Sequence, residues 1–106
     1  MSRIKTSFVF FDEETEAKIS DNELYVNGGD CATIMFDGDG EVEIQGLVDL
    51  NSDSWYPLAL INKNNFTVVS SLTDPGVYSC SIDGYWKIRA EIKSVNESIS
   101  VYANVI

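Results

Sequence analysis

Two stretches near the end of the chain alternate between polar and apolar residues without a break. In the first, Tyr85, Lys87, Arg89, Glu91 and Lys93 occupy one parity and Trp86, Ile88, Ala90 and Ile92 the other. In the second, Ile99, Val101, Ala103 and Val105 alternate with Ser98, Ser100, Tyr102 and Asn104. A period of two is the mark of a strand with one buried face, so the parity of Trp86 and Ile88 is expected to face a core. The short polar segment 94–97 predicts a turn joining the two strands as a hairpin. One hairpin cannot hide its own apolar face, so the rest of the chain has to supply a second layer.

The remaining sequence supplies short strand candidates set apart by turn residues. Residues 3–11 alternate weakly and end in the apolar run 8–11, which predicts a first strand buried on both faces for part of its length, interrupted by the acidic residues 12–16. Residues 17–20 and 23–26 are short candidates around the turn pair Asp21-Asn22. Asn27-Gly28-Gly29-Asp30 and Asp37-Gly38-Asp39-Gly40 both read as tight turns, because Asn and Gly tolerate positive φ. Between them residues 31–36 form a strand, and residues 41–50 alternate with Val42, Ile44, Val48 and Leu50 inward and Gly46 as a bulge. Residues 55–61 form the next strand, with Pro57 placing it at an edge. Residues 66–70 and 77–82 follow, separated by Thr73-Asp74-Pro75-Gly76. About eight to ten short strands at this spacing predict an all-β chain, an antiparallel β-sandwich of jelly-roll or immunoglobulin-like type. At 106 residues it is read as a single domain, with residues 1–11 as an N-terminal strand or arm available for assembly.

Charge is unevenly placed. The net charge is −10, and residues 1–53 hold thirteen of the seventeen acids with three of the seven bases. Such a field repels nucleic acid and suits docking to a basic partner. No apolar run approaches a membrane span, and the N-terminal segment reads neither as a signal peptide nor as an anchor. Cys31 and Cys80 are the only cysteines. With no CxxC pair and no export signal, two buried free thiols are expected rather than a disulfide.

Candidate chemistry is sparse. The chain has no histidine, which excludes histidine triads and removes the commonest general base. Asp37, Asp39, Glu41 and Glu43 crowd one turn and one strand face without an apolar pocket to raise a pKa, so catalysis by them is not expected. Asp37-Gly38-Asp39-Gly40-Glu41 and the residues from Asp49 to Asp53 imitate calcium loops, but Val42 and Ser54 stand where the sharp-turn glycine belongs, and Val48 and Leu60 where the bidentate Glu belongs. No metal and no cofactor is therefore expected. Trp55-Tyr56 and Tyr85-Trp86 each place one aromatic side chain inward and one outward, and an exposed aromatic ring can stack on a sugar or anchor a protein interface. The candidate partner-binding residues are Phe8, Phe10, Glu41, Glu43, Trp55 and Tyr85.

Two resemblances extend this reading. Asp74-Pro75-Gly76-Val77-Tyr78-Ser79-Cys80 resembles the D-x-G-x-Y-x-C motif of immunoglobulin domains, with Cys31 at a plausible upstream distance for the first cysteine. Val42-Glu43-Ile44-Gln45-Gly46 with Ser54-Trp55-Tyr56-Pro57-Leu58, then Gly76-Val77-Tyr78, Ile82-Asp83-Gly84-Tyr85-Trp86-Lys87-Ile88-Arg89 and Glu97-Ser98-Ile99-Ser100-Val101, resemble small β-sandwich proteins encoded in the structural modules of tailed bacteriophages. That likeness covers about residues 41–106. It implies a non-enzymatic virion structural protein of head or tail, assembled in the host cytoplasm. Contacts with capsid or tail proteins and a homo-oligomer are expected, and the acidic charge and the lack of an apolar span argue against a nucleic-acid or membrane partner. The alternatives are a carbohydrate-binding module that takes a host-surface glycan on exposed Trp or Tyr, and an immunoglobulin-like adhesion domain.

Overall fold

In the computed structural model, which describes residues 8–26 and 28–105, the two alternating runs are not the arms of a hairpin. They are two halves of a single strand, Lys87–Val105. Its partner is a comparably long strand from the first half of the chain, Cys31–Leu47. In chain order the strands are β1 (Phe8–Glu14), β2 (Leu24–Tyr25), β3 (Cys31–Leu47), β4 (Trp55–Pro57), β5 (Leu60–Asn62), β6 (Val68–Val69), β7 (Gly76–Ser81) and β8 (Lys87–Val105). They join in the order β1-β8-β3-β7-β5-β6, with β2 also on β8 and β4 also on β3. Every pairing is antiparallel. The described residues contain no helix, and the all-β class expected from the sequence holds.

One continuous sheet makes two layers because β3 and β8 bend together midway, a corner of the kind that bulges produce. On one side of the bend residues 32–38 pair with residues 99–105, and β1 and β7 flank them. On the other side residues 40–47 pair with residues 87–95, flanked by β2 and β4. Both halves bury their inward side chains in one cluster that includes Ile34, Phe36, Val42, Ile44, Ile88, Ile92, Ile99 and Val101.

Asp37-Gly38-Asp39-Gly40 and residues 94–97, both expected as turns, lie at this bend inside the strands. Gly38 to Gly40 on β3 spans Ile99 back to Val95 on β8, and Glu41 to Val42 spans Ser94 back to Ile92. Strand β8 thus carries two surplus residues at the first step and one at the second. An odd surplus changes parity. This is why β8 buries even-numbered Ile88, Ala90 and Ile92 before the bend and odd-numbered Ile99, Val101 and Ala103 after it, while the β3 residues in the same cluster, Ala32, Ile34, Phe36, Val42 and Ile44, are even-numbered on both sides.

Smaller departures have similar causes. In β1 the run 8–11 is not buried on both faces as expected: register shifts between Val9 and Phe11 and between Phe11 and Glu14 turn consecutive Phe10 and Phe11 into the one core, while Val9 is exposed. The acids do not interrupt that strand, which continues through Asp12, Glu13 and Glu14. The expected residues 3–7 of that strand and Asn27 of the Asn-Gly turn lie outside the described residues. Gly46, expected as a bulge, stands in regular register between Tyr56 and Ile88, and a side chain there would strike the Tyr85 ring, whose Cε1 lies 2.8 Å from the Cβ position. The ring covers the glycine. Residues 55–61 split into β4, which pairs with β3 and holds Pro57 at an edge, and β5, which pairs with β7.

Buried Tyr78 donates its hydroxyl to the Asp74 carbonyl at 2.6 Å, tying β7 to the turn before it. Tyr78→Phe keeps the ring's burial and removes that bond, so urea unfolding is expected to show a loss of about 1 kcal/mol. The cysteines do not follow the immunoglobulin pattern. Strands β3 and β7 are hydrogen-bonded neighbours, and Cys80 faces the core opposite Ala32, whereas Cys31 pairs with Ser81 on the other face. Both thiols are free, and only Cys80 is buried. Burial pushes the Cys80 thiol up to about 12, which keeps it protonated and unreactive.

Candidate functional site

The outward face of the β3–β8 pair beyond the bend carries a closed polar network. Gln45, only 6% exposed, is its centre. Its Nε2 donates to Glu43 Oε1 at 2.7 Å and to Glu91 Oε1 at 2.8 Å, and its Oε1 accepts from Arg89 Nε at 2.7 Å. Lys93 Nζ lies 3.1 Å from Glu91 Oε1 and 3.8 Å from Glu43 Oε1. The Arg89 guanidinium in turn sits 4.2 Å from the centroid of the Trp55 ring. A buried amide with both its N–H groups and its oxygen engaged is stabilising only as a complete set. Glu43 and Trp55, expected as partner contacts, are therefore occupied within the chain. Glu41 is half-buried and accepts from Ser71 Oγ at 2.8 Å.

Burial opposes ionisation of Glu91, but hydrogen bonds from Lys93 and Gln45 outweigh it and hold the carboxyl below its usual value. A carboxyl depressed in the folded state stabilises the protein above the unfolded value, near 4.5, and that contribution is lost as pH falls through the folded value. Unfolding midpoints should therefore drop as pH is lowered below about 4.5, and Glu91→Gln should flatten part of that drop. Equal slopes for the two proteins would show that Glu91 is not held by the network.

The aromatic pair at the start of β8 is reversed from expectation. Asp83-Gly84 makes a turn with Gly84 at φ 91°, Tyr85 N–H donates to the Ile82 carbonyl at 3.1 Å, and regular pairing begins at Lys87. The alternation therefore cannot be extended back through Trp86. Tyr85 packs against the core, and Trp86 is 56% exposed. Trp86 and Tyr25, also exposed, line a cleft of about 430 Å³ together with Leu50, Asp83 and Tyr85. Sequence reasoning missed Tyr25 and Trp86 as surface aromatics; the Asp83-Gly84 turn was the signal that resets the phase.

A second cleft, of about 590 Å³, lies beside β1 and is lined by Asp12, Glu13, Asp37, Met35, Val77 and Tyr102 among others. The register explains its floor: Val77 stands opposite Met35, Met35 opposite Tyr102, and Tyr102 opposite Val9, so one outward row crosses β7, β3, β8 and β1. Tyr102 donates its hydroxyl to Asp12 Oδ1 at 3.0 Å. Of the expected contact residues in β1, Phe10 is 4% exposed and unavailable at the surface, and half-buried Phe8 packs edge-on against it with ring centroids 4.9 Å apart. Strand β1 ends the strand order, and among the described residues no strand pairs with its outer side. Bulges and the Asn22 Nδ2 hydrogen bond to the Val9 carbonyl, 3.1 Å, shorten that free edge.

Among the described residues no three or more acidic, Cys or His side chains are grouped to hold a metal. The second calcium-loop imitation behaves as turn chemistry, with the Asp49 carboxylate accepting from Asn51 N–H at 2.9 Å.

No family model and no curated protein matches the chain. Two solved structures share its fold. The SPBc2 prophage-derived protein YomS superposes with a TM-score of 0.82 at 26% identity, covering 94% of this chain and 90% of that one. The PBSX exported protein XepA superposes with a TM-score of 0.82 at 23% identity, covering 94% of this chain but 37% of that one, so its likeness is one of fold. The chain is an all-β protein whose structural neighbours include a prophage-derived protein matched over nearly its whole length.

Proposed function

We propose that the protein is a non-enzymatic bacteriophage virion structural protein that decorates or joins capsid or tail components through protein–protein contacts. The observation that carries this reading is the likeness to a prophage-derived protein over most of both chains. The acidic and apolar cleft beside β1 is the docking surface that supports it: exposed Asp12, Glu13 and Asp37 rim an apolar floor of Met35 and Val77. Charges of one sign around an apolar contact steer a basic partner and leave the lasting affinity to burial.

Binding back to particles tests the reading. Purified protein added to particles assembled without it should co-sediment with them, and binding should weaken as salt rises because exposed charges are screened. The double variant Asp12→Asn, Asp37→Asn should bind more weakly and with a shallower salt dependence. Failure of the wild-type protein to co-sediment at low salt would contradict the proposal.

A further inference from the structure

The chain stacks two of its own cations on aromatic rings. Lys87 Nζ lies 5.3 Å from the centroid of the Tyr25 ring, and the Arg89 guanidinium 4.2 Å from that of Trp55. Each of these cations also serves an oxygen acceptor: Lys87 donates to Glu23 Oε1 at 2.6 Å, which holds its ammonium above the ordinary lysine value, and Arg89 donates to Gln45. Trp86 and Asp83 stand apart from this pattern. Trp86 is the most exposed of the aromatic residues lining its cleft, and among the described residues no cation lies over its ring. Asp83 is exposed and makes no ion pair among them. The two line the same cleft of about 430 Å³, in which Asp83 is the one charged residue among the described lining residues.

An aromatic wall and a carboxylate without an internal counter-cation form a receptor for an organic cation. We infer that the cleft receives an arginine side chain of a protein partner, the guanidinium stacking on the Trp86 indole and pairing with the Asp83 carboxylate while its aliphatic stem lies along Leu50. Arginine fits better than lysine because its planar head stacks and hydrogen-bonds at once, and it sheds water more readily. A sugar fits less well, because among the described lining residues a single carboxylate and no side-chain amide is present to hold its ring hydroxyls. The net charge of −10 favours approach of a basic segment from a distance. This inference rests on the reading of the protein as a partner-binding virion component and names the chemistry of one contact.

The test uses the whole protein with its indole N–H groups observed by NMR, Trp86→Phe identifying which resonance is which. Titration with N-acetyl-arginine amide should move the Trp86 indole signal saturably and leave that of Trp55 in place. The neutral isostere N-acetyl-citrulline amide should bind at least about tenfold more weakly, as should arginine with the Asp83→Asn variant. Both residues are exposed, so these variants keep the fold. Equal binding of the citrulline probe, an unmoved Trp86 signal, or a saturable shift with a maltooligosaccharide in place of arginine would overturn the inference. Particles that bind the protein while its Trp86 ignores arginine would refute this cleft alone; an arginine-responsive protein that fails to bind particles would refute the virion reading alone.

Discussion

Gly40→Ala is expected to destabilise the protein by roughly 3 to 5 kcal/mol, a large part of what a domain of this size has. Gly40 has φ 154° and Gly38 φ 137°, in the region that L side chains rarely adopt. A methyl group on Gly40 would collide with the Ser94 carbonyl oxygen and come within 2.9 Å of the Val95 Cα; on Gly38 it would meet the Ser98 carbonyl oxygen and the Ile99 Cα at 2.9 Å. These are backbone atoms of β8 at the point where the surplus residues accumulate. Neither can swing aside without opening the pairing on which both layers depend. Gly38→Ala should behave alike. Gly28→Ala is the control, since Gly28 has φ 80° but nothing within 4 Å of the added atom, and strain alone should cost about 1 to 2 kcal/mol. Urea unfolding measures all three. A cost at Gly40 no greater than that at Gly28 would mean that the two strands do not cross closely at the bend.

Ile88→Ala and Val101→Ala should each cost about 2 to 4 kcal/mol in the same measurement, Val101 toward the lower end. Both side chains are 0% exposed, and they belong to opposite halves of β8 with opposite parity. Ile88 stands opposite Gly46 and Leu24, and Val101 opposite Phe36 and Phe11, so each sits between two neighbouring strands. Large losses at both positions require a parity change between them. A loss below about half a kcal/mol at either would place that half of the strand with its other face inward.

The inward faces of both halves of β8 were legible because alternation is a local signal. The path of the chain between them was not. Gly-Asp repeats and a polar tetrad such as residues 94–97 look alike whether they reverse a chain or bulge a strand, and only pairing between residues far apart in sequence decides which. Here Gly40 pairs with Val95 and Glu41 with Ser94. The site was less legible for the same reason. Glu43 and Trp55 look available in sequence, but Gln45 on the same strand and Arg89 and Lys93 on β8 claim them. Trp86 looks buried until the Asp83-Gly84 turn delays the start of regular pairing. The uneven charge, by contrast, was plain in composition, and it is the exposed acids Asp12, Glu13 and Asp37, rather than Glu41 and Glu43, that gather at a cleft.

Quantitative mass spectrometry of gradient-purified particles from a phage encoding the protein tests the central claim most directly. The account predicts that the protein is retained after washing in a fixed ratio to the major capsid or tail protein. Particles of full density and infectivity that contain none of it would contradict the account.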